Sequence, residues 1–394
     1  GTVSVVAETS ATQAIGTAAT FFTSMKKVSA TYDANAQKVV LAFINNSTDY
    51  GTAIVGTVSG NSISFGTAVV FESAIVDDPS ITYDANAQKV VIAYADQGNG
   101  RYGTAIVGTV SGTNISFGTA AVFENANISY TNITYDSDTQ KVVMSYTDSG
   151  NSSKGTAVVG TVSGTNISFG TPVVFESGVS NYFSSAYDTN AQRVVIAYKD
   201  DGNSSKGTAV VGTVSGTAIS FGSPVIFNSS GSSFNSAVYD SAAKKVVIAY
   251  RDQANSDGGT AIVGTVSGTS ISFGTEVIFE TGGTEFVSIT YDSAAQKVVI
   301  AYTDDGNSGH GTLAVGTVSG TTISFETPVV FESDATVYTS ATYEASAGKV
   351  VIAYKDYNNS NQGTAIVFQT GYTSTNLTSE NYIGIASNGY ATGQ

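Results

Sequence analysis

The chain has 394 residues, and 31 Asp and Glu against 16 Lys and Arg give it a formal net charge of −15. Such a charge repels polyanions, so we expect no nucleic-acid partner. The absence of cysteine excludes disulfides, thiolate metal ligands and cysteine nucleophiles. No apolar run approaches the roughly 20 residues that span a bilayer, so we expect no membrane insertion.

Two short markers recur along the chain with one period. The pair Tyr-Asp occurs six times, and Tyr-Glu replaces it in a seventh copy; the tyrosines are Tyr32, Tyr83, Tyr135, Tyr187, Tyr239, Tyr291 and Tyr343. Successive tyrosines are 51 residues apart once and 52 residues apart five times. The pair Gly-Thr, first at Gly51 and last at Gly363, repeats every 52 residues. The chain is therefore built of seven repeats, which indicates one domain of packed units.

Each repeat contains four strand-like runs, which we name A to D. The runs are rich in Val, Ile, Thr, Tyr and Phe and are bounded by Gly, Asn, Asp or Ser. In chain order, the N-terminal residues 15–22 supply a strand D without its own A and B, because they align with residues 65–72. In the second repeat, the runs are residues 80–83, 89–94, 103–110 and 115–123. The last repeat has A, B and C, ending with residues 363–370, but no D.

Strand B is apolar at nearly every position, as in residues 298–302 (VVIAY). Such a strand is expected to be buried on both sheet faces. A ring of sheets satisfies that requirement, so the sequence predicts an all-β, seven-bladed β-propeller of four-stranded antiparallel blades. We expect the N-terminal strand to complete the last blade and close the ring. Residues 1–370 are then the propeller, and residues 371–394 are a C-terminal extension or a linker.

The turns from A to B and from C to D are nearly constant, which indicates structural roles. An Asp/Asn turn, as at residues 188–192, links A to B, and Val-Ser-Gly-Thr or Val-Ser-Gly-Asn links C to D. We expect both on one side of the disc. The crossings from strand D to the next strand A differ most between copies, and we expect them on the other side with the B to C loops.

Within the crossings, the position five residues before the repeat tyrosine is aromatic in five copies of seven. In order, these residues are Lys27, Asp78, Tyr130, Tyr182, Phe234, Phe286 and Tyr338. We expect them near the mouth of the central channel. The candidate ligand-binding residues are Tyr130, Tyr182, Phe183, Phe234, Phe286 and Tyr338, because aromatic rings suit a sugar or peptide ligand. The alternative is that the rings plug the channel or seal neighbouring blades.

The sequence offers no recognisable catalytic constellation. The single histidine, His310, has no second His or Cys with which to form a catalytic triad or a His-based metal site. The acids Asp77, Asp78 and Asp334 depart from the repeat but have no evident partner. We therefore expect no catalytic residues.

The loops from B to C carry an Asp and an Asn, as at Asp96 and Asn99. Oxygen ligands at this spacing are compatible with calcium, but each loop has only one or two carboxylates and the first repeat has Asn45 instead of Asp. Asx turns explain the same residues. We expect no metal and no cofactor, and calcium binding by these loops stays an open alternative.

Residues 83–94 followed by residues 103–112 resemble repeats in structural proteins of marine bacteriophages, including cyanophage tail-fibre-like proteins. Residues 375–384 (TNLTSENYIG) resemble the motif that follows those repeats. The resemblance covers nearly the whole chain and implies a virion component, such as a fibre domain that faces the host. Those proteins usually continue past this motif, which implies a fragment or a processed product. A bacterial surface protein with similar repeats is the alternative source.

Together these features predict a non-catalytic binding or adhesion module on a virion, or extracellular at a cell surface. Its expected partners are a host-surface glycan or protein and other subunits of the same assembly. Two alternatives stay open. One is a purely structural spacer or decoration protein, and the other is a polysaccharide hydrolase or lyase, because glycoside hydrolysis needs only two suitably placed carboxylates.

Overall fold

The computed structural model describes residues 11–372, which form antiparallel β-strands joined by turns and short 3₁₀ turns. The predicted all-β, antiparallel fold is confirmed. Within this part of the chain, no helix is long and apolar enough to cross a membrane. The predicted C-terminal extension, apart from Gly371 and Tyr372, and the phage-like motif at residues 375–384 lie outside the described residues.

The strands follow one another at short intervals. In chain order they are β1 (Ala14–Ile15), β2 (Ala19–Phe22), β3 (Met25–Asp33), β4 (Lys38–Asn45), β5 (Tyr50–Ser59), β6 (Ser62–Phe65), β7 (Val69–Asp84), β8 (Lys89–Asp96), β9 (Tyr102–Ser111), β10 (Asn114–Phe117), β11 (Ala121–Asp136), β12 (Lys141–Asp148), β13 (Lys154–Ser163), β14 (Asn166–Phe169), β15 (Val173–Asp188), β16 (Arg193–Asp200), β17 (Lys206–Ser215), β18 (Ala218–Phe221), β19 (Val225–Asp240), β20 (Lys245–Asp252), β21 (Gly258–Ser267), β22 (Ser270–Phe273), β23 (Val277–Glu280), β24 (Thr284–Asp292), β25 (Lys297–Asp304), β26 (His310–Ser319), β27 (Thr322–Phe325), β28 (Val329–Glu344), β29 (Lys349–Asp356) and β30 (Gln362–Gln369). The 3₁₀ turns are Gln97–Asn99, Ser149–Asn151, Asp201–Asn203, Gln253–Asn255 and Asp305–Asn307.

The second repeat shows how strands A to D pair. The second half of β7 is strand A and pairs with β8, which pairs with β9. Strand D pairs with β9 in two pieces, β10 and the first half of β11. The B and C runs were predicted within two residues of their observed ends, whereas strand D was predicted as one run.

Most crossings from D to A are extended chain. Strands β7, β11, β15, β19 and β28 each continue over 16 residues from one repeat into the next. The backbone of the crossing forms hydrogen bonds with the adjacent B to C loop; for example, Ile128 N donates to Arg101 O at 3.0 Å. Hydrogen bonding to the B to C loop therefore keeps each crossing extended.

The predicted turn chemistry is confirmed. Asp84, at 1% exposure, accepts hydrogen bonds through one carboxylate oxygen from Asn86 N at 3.0 Å and Ala87 N at 2.9 Å. Its neighbour Tyr83 reaches the preceding repeat, where its hydroxyl accepts a hydrogen bond from Asn35 N at 3.2 Å. The aspartate of the Tyr-Asp marker therefore fixes one turn, and the tyrosine binds the equivalent turn of the preceding repeat. In the C to D turn, Gly112 has φ +61°, a conformation that glycine adopts without steric cost.

Strand B is buried on both faces, as predicted. The side chains of residues 298–302 are 0% exposed. Each buried cluster joins two neighbouring repeats, as where Val91 of the second packs with Val142 of the third. The cluster that contains Phe21 also joins Leu41 of the first repeat to Val351 of the seventh. No repeat therefore buries its apolar surface alone.

The glycine of the Gly-Thr marker makes room for an aromatic ring. A Cβ atom on Gly259 would lie 2.2 Å from Cε2 of Phe279 in strand D. The same pair recurs in the other repeats, and at the end of the chain Phe21 in β2 covers Gly363 in β30. Strand β2 pairs with β30, with Ala19 opposite Ala365. The N-terminal strand therefore occupies the strand D position beside the last strand C.

Six strand B tyrosines donate their hydroxyl to a glutamate. In five repeats this glutamate lies in the preceding strand D, and Tyr250 donates to Glu276, which lies just before β23. Tyr302 Oη donates to Glu280 Oε2 at 3.1 Å, and Glu280 Oε1 accepts from Gly282 N at 2.9 Å. The others are Tyr94, Tyr146, Tyr198, Tyr250 and Tyr354. In the first repeat, Phe43 packs against Phe22 at a centroid distance of 4.8 Å. In the first repeat, phenylalanine therefore replaces both the strand B tyrosine and the strand D glutamate that would accept its hydrogen bond.

We predict that Phe21→Ala destabilises the fold about as much as Phe279→Ala, by roughly 3–5 kcal/mol, because both rings fill equivalent buried positions over a glycine. Urea unfolding of both variants gives the two free energies. A much smaller loss for Phe21→Ala would contradict docking of β2 on β30.

Deletion of residues 1–24 is the stronger test, and we expect an aggregating or loosely folded chain; a soluble truncation that melts cooperatively would refute this.

We also predict that the six strand B tyrosines ionise only when the protein unfolds. Burial, together with the charge and hydrogen bond of the nearby Glu280, raises the pKa of Tyr302, and the other five behave alike. The neutral hydroxyls therefore stabilise the fold fully below the ordinary tyrosine pKa of about 10, and this contribution is lost as pH rises above it. Phenolate absorbance and circular dichroism should change together for these groups.

The matched control is Tyr302→Phe, which removes one phenolate from the unfolding step. Reversible ionisation of all tyrosines while the circular dichroism stays native would overturn the prediction.

Candidate functional site

The seven crossing positions lie on β-bulges in strand A. In β11, Ser129 pairs with Thr147 and Asn132 with Ser145, so Tyr130 and Thr131 lie outside the regular ladder. All seven residues have positive φ: Lys27 37°, Asp78 47°, Tyr130 52°, Tyr182 52°, Phe234 51°, Phe286 48° and Tyr338 57°. This conformation costs a side chain roughly 1–2 kcal/mol. The bulge turns each side chain out of the sheet's alternation, as bulges beside functional sites do.

The seven residues line one cavity. Its volume is about 490 Å³. Each repeat contributes the bulged residue and the one after it, and the second set is Val28, Pro79, Thr131, Phe183, Asn235, Val287 and Thr339. A cavity of this size and mixed polarity is in the range that small ligands occupy.

Five aromatic rings form a continuous wall of this cavity, which we call the aromatic arc. Its members are Tyr130, Tyr182, Phe234, Phe286 and Tyr338. Successive ring centroids are 5.1, 5.2, 5.0 and 4.6 Å apart, with interplanar angles of 50–61°. These are the tilted arrangements that aromatic pairs prefer. Tyr130, at the end of the arc, is 38% exposed. The rings therefore support one another and also present a surface to the cavity.

A group of charged residues fills the gap between the two ends of the arc. Lys27 Nζ lies 2.5 Å from Asp78 Oδ1 and 3.1 Å from Asp77 Oδ1. Asp78 Oδ2 accepts a hydrogen bond from Tyr130 N at 2.7 Å, and Arg101 lies 3.2 Å from Asp77. Burial lowers the pKa of Lys27, but Asp78 and Asp77 more than offset this, and the pKa is raised. Asp77 and Asp78, for which the sequence indicated no partner, thus both form salt bridges with Lys27.

Phe183 differs from the other candidate residues. It lines the cavity, but it is only 7% exposed, and its ring packs against Phe175 at 5.8 Å and Tyr198 at 6.3 Å. It follows the bulged Tyr182, so the two adjacent aromatic residues point to different surroundings. Phe183 is therefore part of the interior packing.

Sequence reasoning missed the cations that strand B places beside the arc. Lys199 Nζ lies 5.9 Å from the ring centroid of Tyr182, and Lys355 Nζ lies 5.9 Å from that of Tyr338. Arg251 occupies the corresponding position in the fifth repeat and is held by Glu285 at 2.8 Å. The sequence could have indicated these cations, because the residue directly after the strand B tyrosine is Lys or Arg in these three repeats only.

In the last three B to C loops the aspartate accepts a backbone hydrogen bond within the turn, as the Asx interpretation predicted, whereas Asp96, Asp148 and Asp200 form no such bond. Asp304 Oδ1 accepts from Asn307 N at 3.1 Å, and Asp356 Oδ1 accepts from Asn359 N at 3.2 Å. Burial, followed by the charge of Glu280, raises the pKa of Asp304. Among residues 11–372, no three His, Cys, Asp or Glu side chains are grouped as metal ligands. His310 is half-buried at the start of β26.

No protein-family model and no curated protein matches this chain, whereas many solved structures do. The BP39L lectin from Burkholderia pseudomallei aligns with 90% of this chain and 100% of its own at 12% identity and a TM-score of 0.57. A protein of unknown function from Dyadobacter fermentans aligns with 92% of this chain and 98% of its own at 12% identity and a TM-score of 0.52. A chain of the mitotic checkpoint complex aligns with 95% of this chain and 100% of its own at 9% identity and a TM-score of 0.58. At these identities the likeness shows the fold alone.

The bulge geometry predicts an unusual order of stability for substitutions at Tyr182. Tyr182→Gly should be more stable than Tyr182→Ala by roughly 0.5–1 kcal/mol, because glycine accepts φ +52° without steric cost. Val179, exposed on the same strand, is the control. There the glycine variant should be less stable than the alanine variant. Urea unfolding of the four variants measures both differences, and the same order at both positions would contradict the bulge.

Proposed function

We propose that the chain is a seven-bladed β-propeller closed by β2 on β30, and that it acts as a non-catalytic glycan-binding module. Closure is supported by contacts between consecutive A strands, which include contacts between β28 and β3. A second support is the set of serine hydroxyls that accept from the next strand A. Ser288 accepts from Ala341 N at 2.9 Å, and Ser340 accepts from Ala30 N at 3.0 Å.

The aromatic arc is the observation that carries the functional proposal. A pyranose has apolar C–H faces that pack on aromatic rings, and hydroxyls at its edge that need polar partners. The arc supplies the rings, and Lys27, Asp78 and the hydroxyl of Tyr130 lie beside them at one end of the cavity. The lectin among the structural neighbours supports this class of ligand.

We place this module on a virion or at a cell surface, where a host glycan or protein and other subunits of the assembly are its partners. The support is the resemblance of residues 83–94 and 103–112 to phage structural repeats. A purely structural spacer is the second candidate, and the contacts between neighbouring rings of the arc favour it. The hydrolase or lyase alternative lacks such support, because Asp77 and Asp78 are bound to Lys27.

A glycan array with the full chain tests the proposal. We expect the wild type to bind a defined set of saccharides, and Tyr130→Ala and Phe286→Ala to weaken binding about tenfold or more each, which corresponds to about 1.4 kcal/mol. Ile226→Ala is the matched control, because this side chain is 45% exposed on strand D, away from the cavity. Binding that is unchanged in the arc variants, or absent in the wild type, would favour the spacer.

A further inference from the structure

The fourth and seventh repeats each place a lysine near a ring of the aromatic arc, but the two lysines differ in whether a carboxylate pairs with them. In the fourth repeat, Lys199 Nζ lies 3.0 Å from Asp201 Oδ1 as well as near the ring of Tyr182. Asp201 is itself fixed by Asn181 Nδ2 at 2.6 Å and Ser205 Oγ at 2.8 Å. The lysine of this repeat is therefore neutralised by a well-held carboxylate.

In the seventh repeat, a tyrosine replaces that carboxylate. Tyr357 stands at the position of Asp201, directly after the loop aspartate. Lys355 Nζ lies 5.9 Å from the ring centroid of Tyr338 and 5.4 Å from that of Tyr357. Within residues 11–372, Lys355 forms no salt bridge. The result is a half-buried cation between two rings, with no carboxylate in the place that a carboxylate fills in the fourth repeat.

The charges around Lys355 make its position unfavourable without an anion. The nearby Lys26 is paired with Asp49 at 2.5 Å. Burial and the charge of Lys26 lower the pKa of Lys355. A cation that lacks a counter-charge and is partly removed from water loses hydration without compensation. An incoming anion would supply the missing interaction.

We propose that Tyr338, Lys355 and Tyr357 form a subsite for the carboxylate or sulfate group of an acidic saccharide. The anionic group lies against Lys355 as the Asp201 carboxylate lies against Lys199, and the sugar ring packs on Tyr338 at the cavity wall. Tyr357, which is 57% exposed, covers the other side of the anion. This subsite rests on the glycan binding proposed above and adds the charge of the ligand to it.

Calorimetric titration with matched oligosaccharides of equal length tests the subsite. The probes are oligogalactosides, oligogalacturonides and sulfated oligogalactosides, so that the carboxylate and the sulfate are measured separately against a neutral ligand. We expect the wild type to bind at least one acidic probe about tenfold more tightly than the neutral one. Lys355→Gln should remove this preference, so that the acidic and neutral probes bind with equal affinity. Lys199→Gln is the matched control and should retain the preference.

Tyr357→Asp is a second variant that keeps Lys355 in place. It gives the seventh repeat the carboxylate of the fourth, so Lys355 becomes paired and the acidic preference should fall as far as it does in Lys355→Gln. Tyr357→Phe keeps the ring and should keep the preference. Thermal unfolding of each variant verifies that the fold is intact, which is expected because Tyr357 is exposed and Lys355 is only half-buried.

The outcomes separate the subsite from the proposed function. Neutral binding without an acidic preference in the wild type, or a preference that survives Lys355→Gln, overturns the subsite alone. Failure of the wild type to bind any saccharide overturns both. Inorganic sulfate that binds as tightly as the sulfated saccharide shows a bare anion site and overturns the saccharide assignment.

Discussion

The double-sided burial of strand B is the constraint on which the rest of this structure depends. Residues 298–302 and their counterparts in other repeats have no exposed surface, so each sheet needs an apolar neighbour on both faces. The neighbour is always another repeat, and for the first repeat it includes the seventh, through Phe21 and Val351. Because each interface must accept the same partner surface, the glycine under Phe279 and the aspartate that caps the A to B turn recur in nearly every copy. Divergence is greatest in the crossings.

At the edge of these interfaces, the strand B tyrosine and the glutamate that accepts its hydrogen bond change together from repeat to repeat. Where strand B carries Phe43 instead of tyrosine, the glutamate position carries Phe22. In the fifth repeat, Asn228 stands at the glutamate position, and Tyr250 donates instead to Glu276 at 2.7 Å. A buried hydroxyl or carboxylate without a partner costs roughly 1–3 kcal/mol, so a change at one position is tolerated only with a change at the other. The coupling is thus a consequence of burial and does not require a functional explanation.

The sequence predicted the parts of the structure that depend on local chemistry. The strands, the Asx and glycine turns, the strand beside the last strand C and the grouping of the seven crossing positions all follow from patterns that recur within one repeat. It did not predict the bulges, because tyrosine and phenylalanine are ordinary strand residues and nothing in their identity indicates positive φ. For the same reason it could not separate Tyr182, which faces the cavity, from Phe183, which faces the interior. Nor did it find the contact of Lys27 with Asp78, since those residues are one repeat apart in the chain.

The bulges occur in all seven repeats, including those that carry Lys27 and Asp78 in place of an aromatic residue. The backbone distortion is therefore a property of the fold, while the side chain at its apex is free to differ. A channel plug needs only apolar volume at these positions, and a lysine bound to two aspartates supplies none. Charged residues at two positions of seven interrupt the ring and give the cavity one polar and one aromatic side. A ligand that has an apolar face and a polar edge can use both sides, whereas a plug gains nothing from the asymmetry. The proposed binding function accounts for the two charged positions as well as the five aromatic residues.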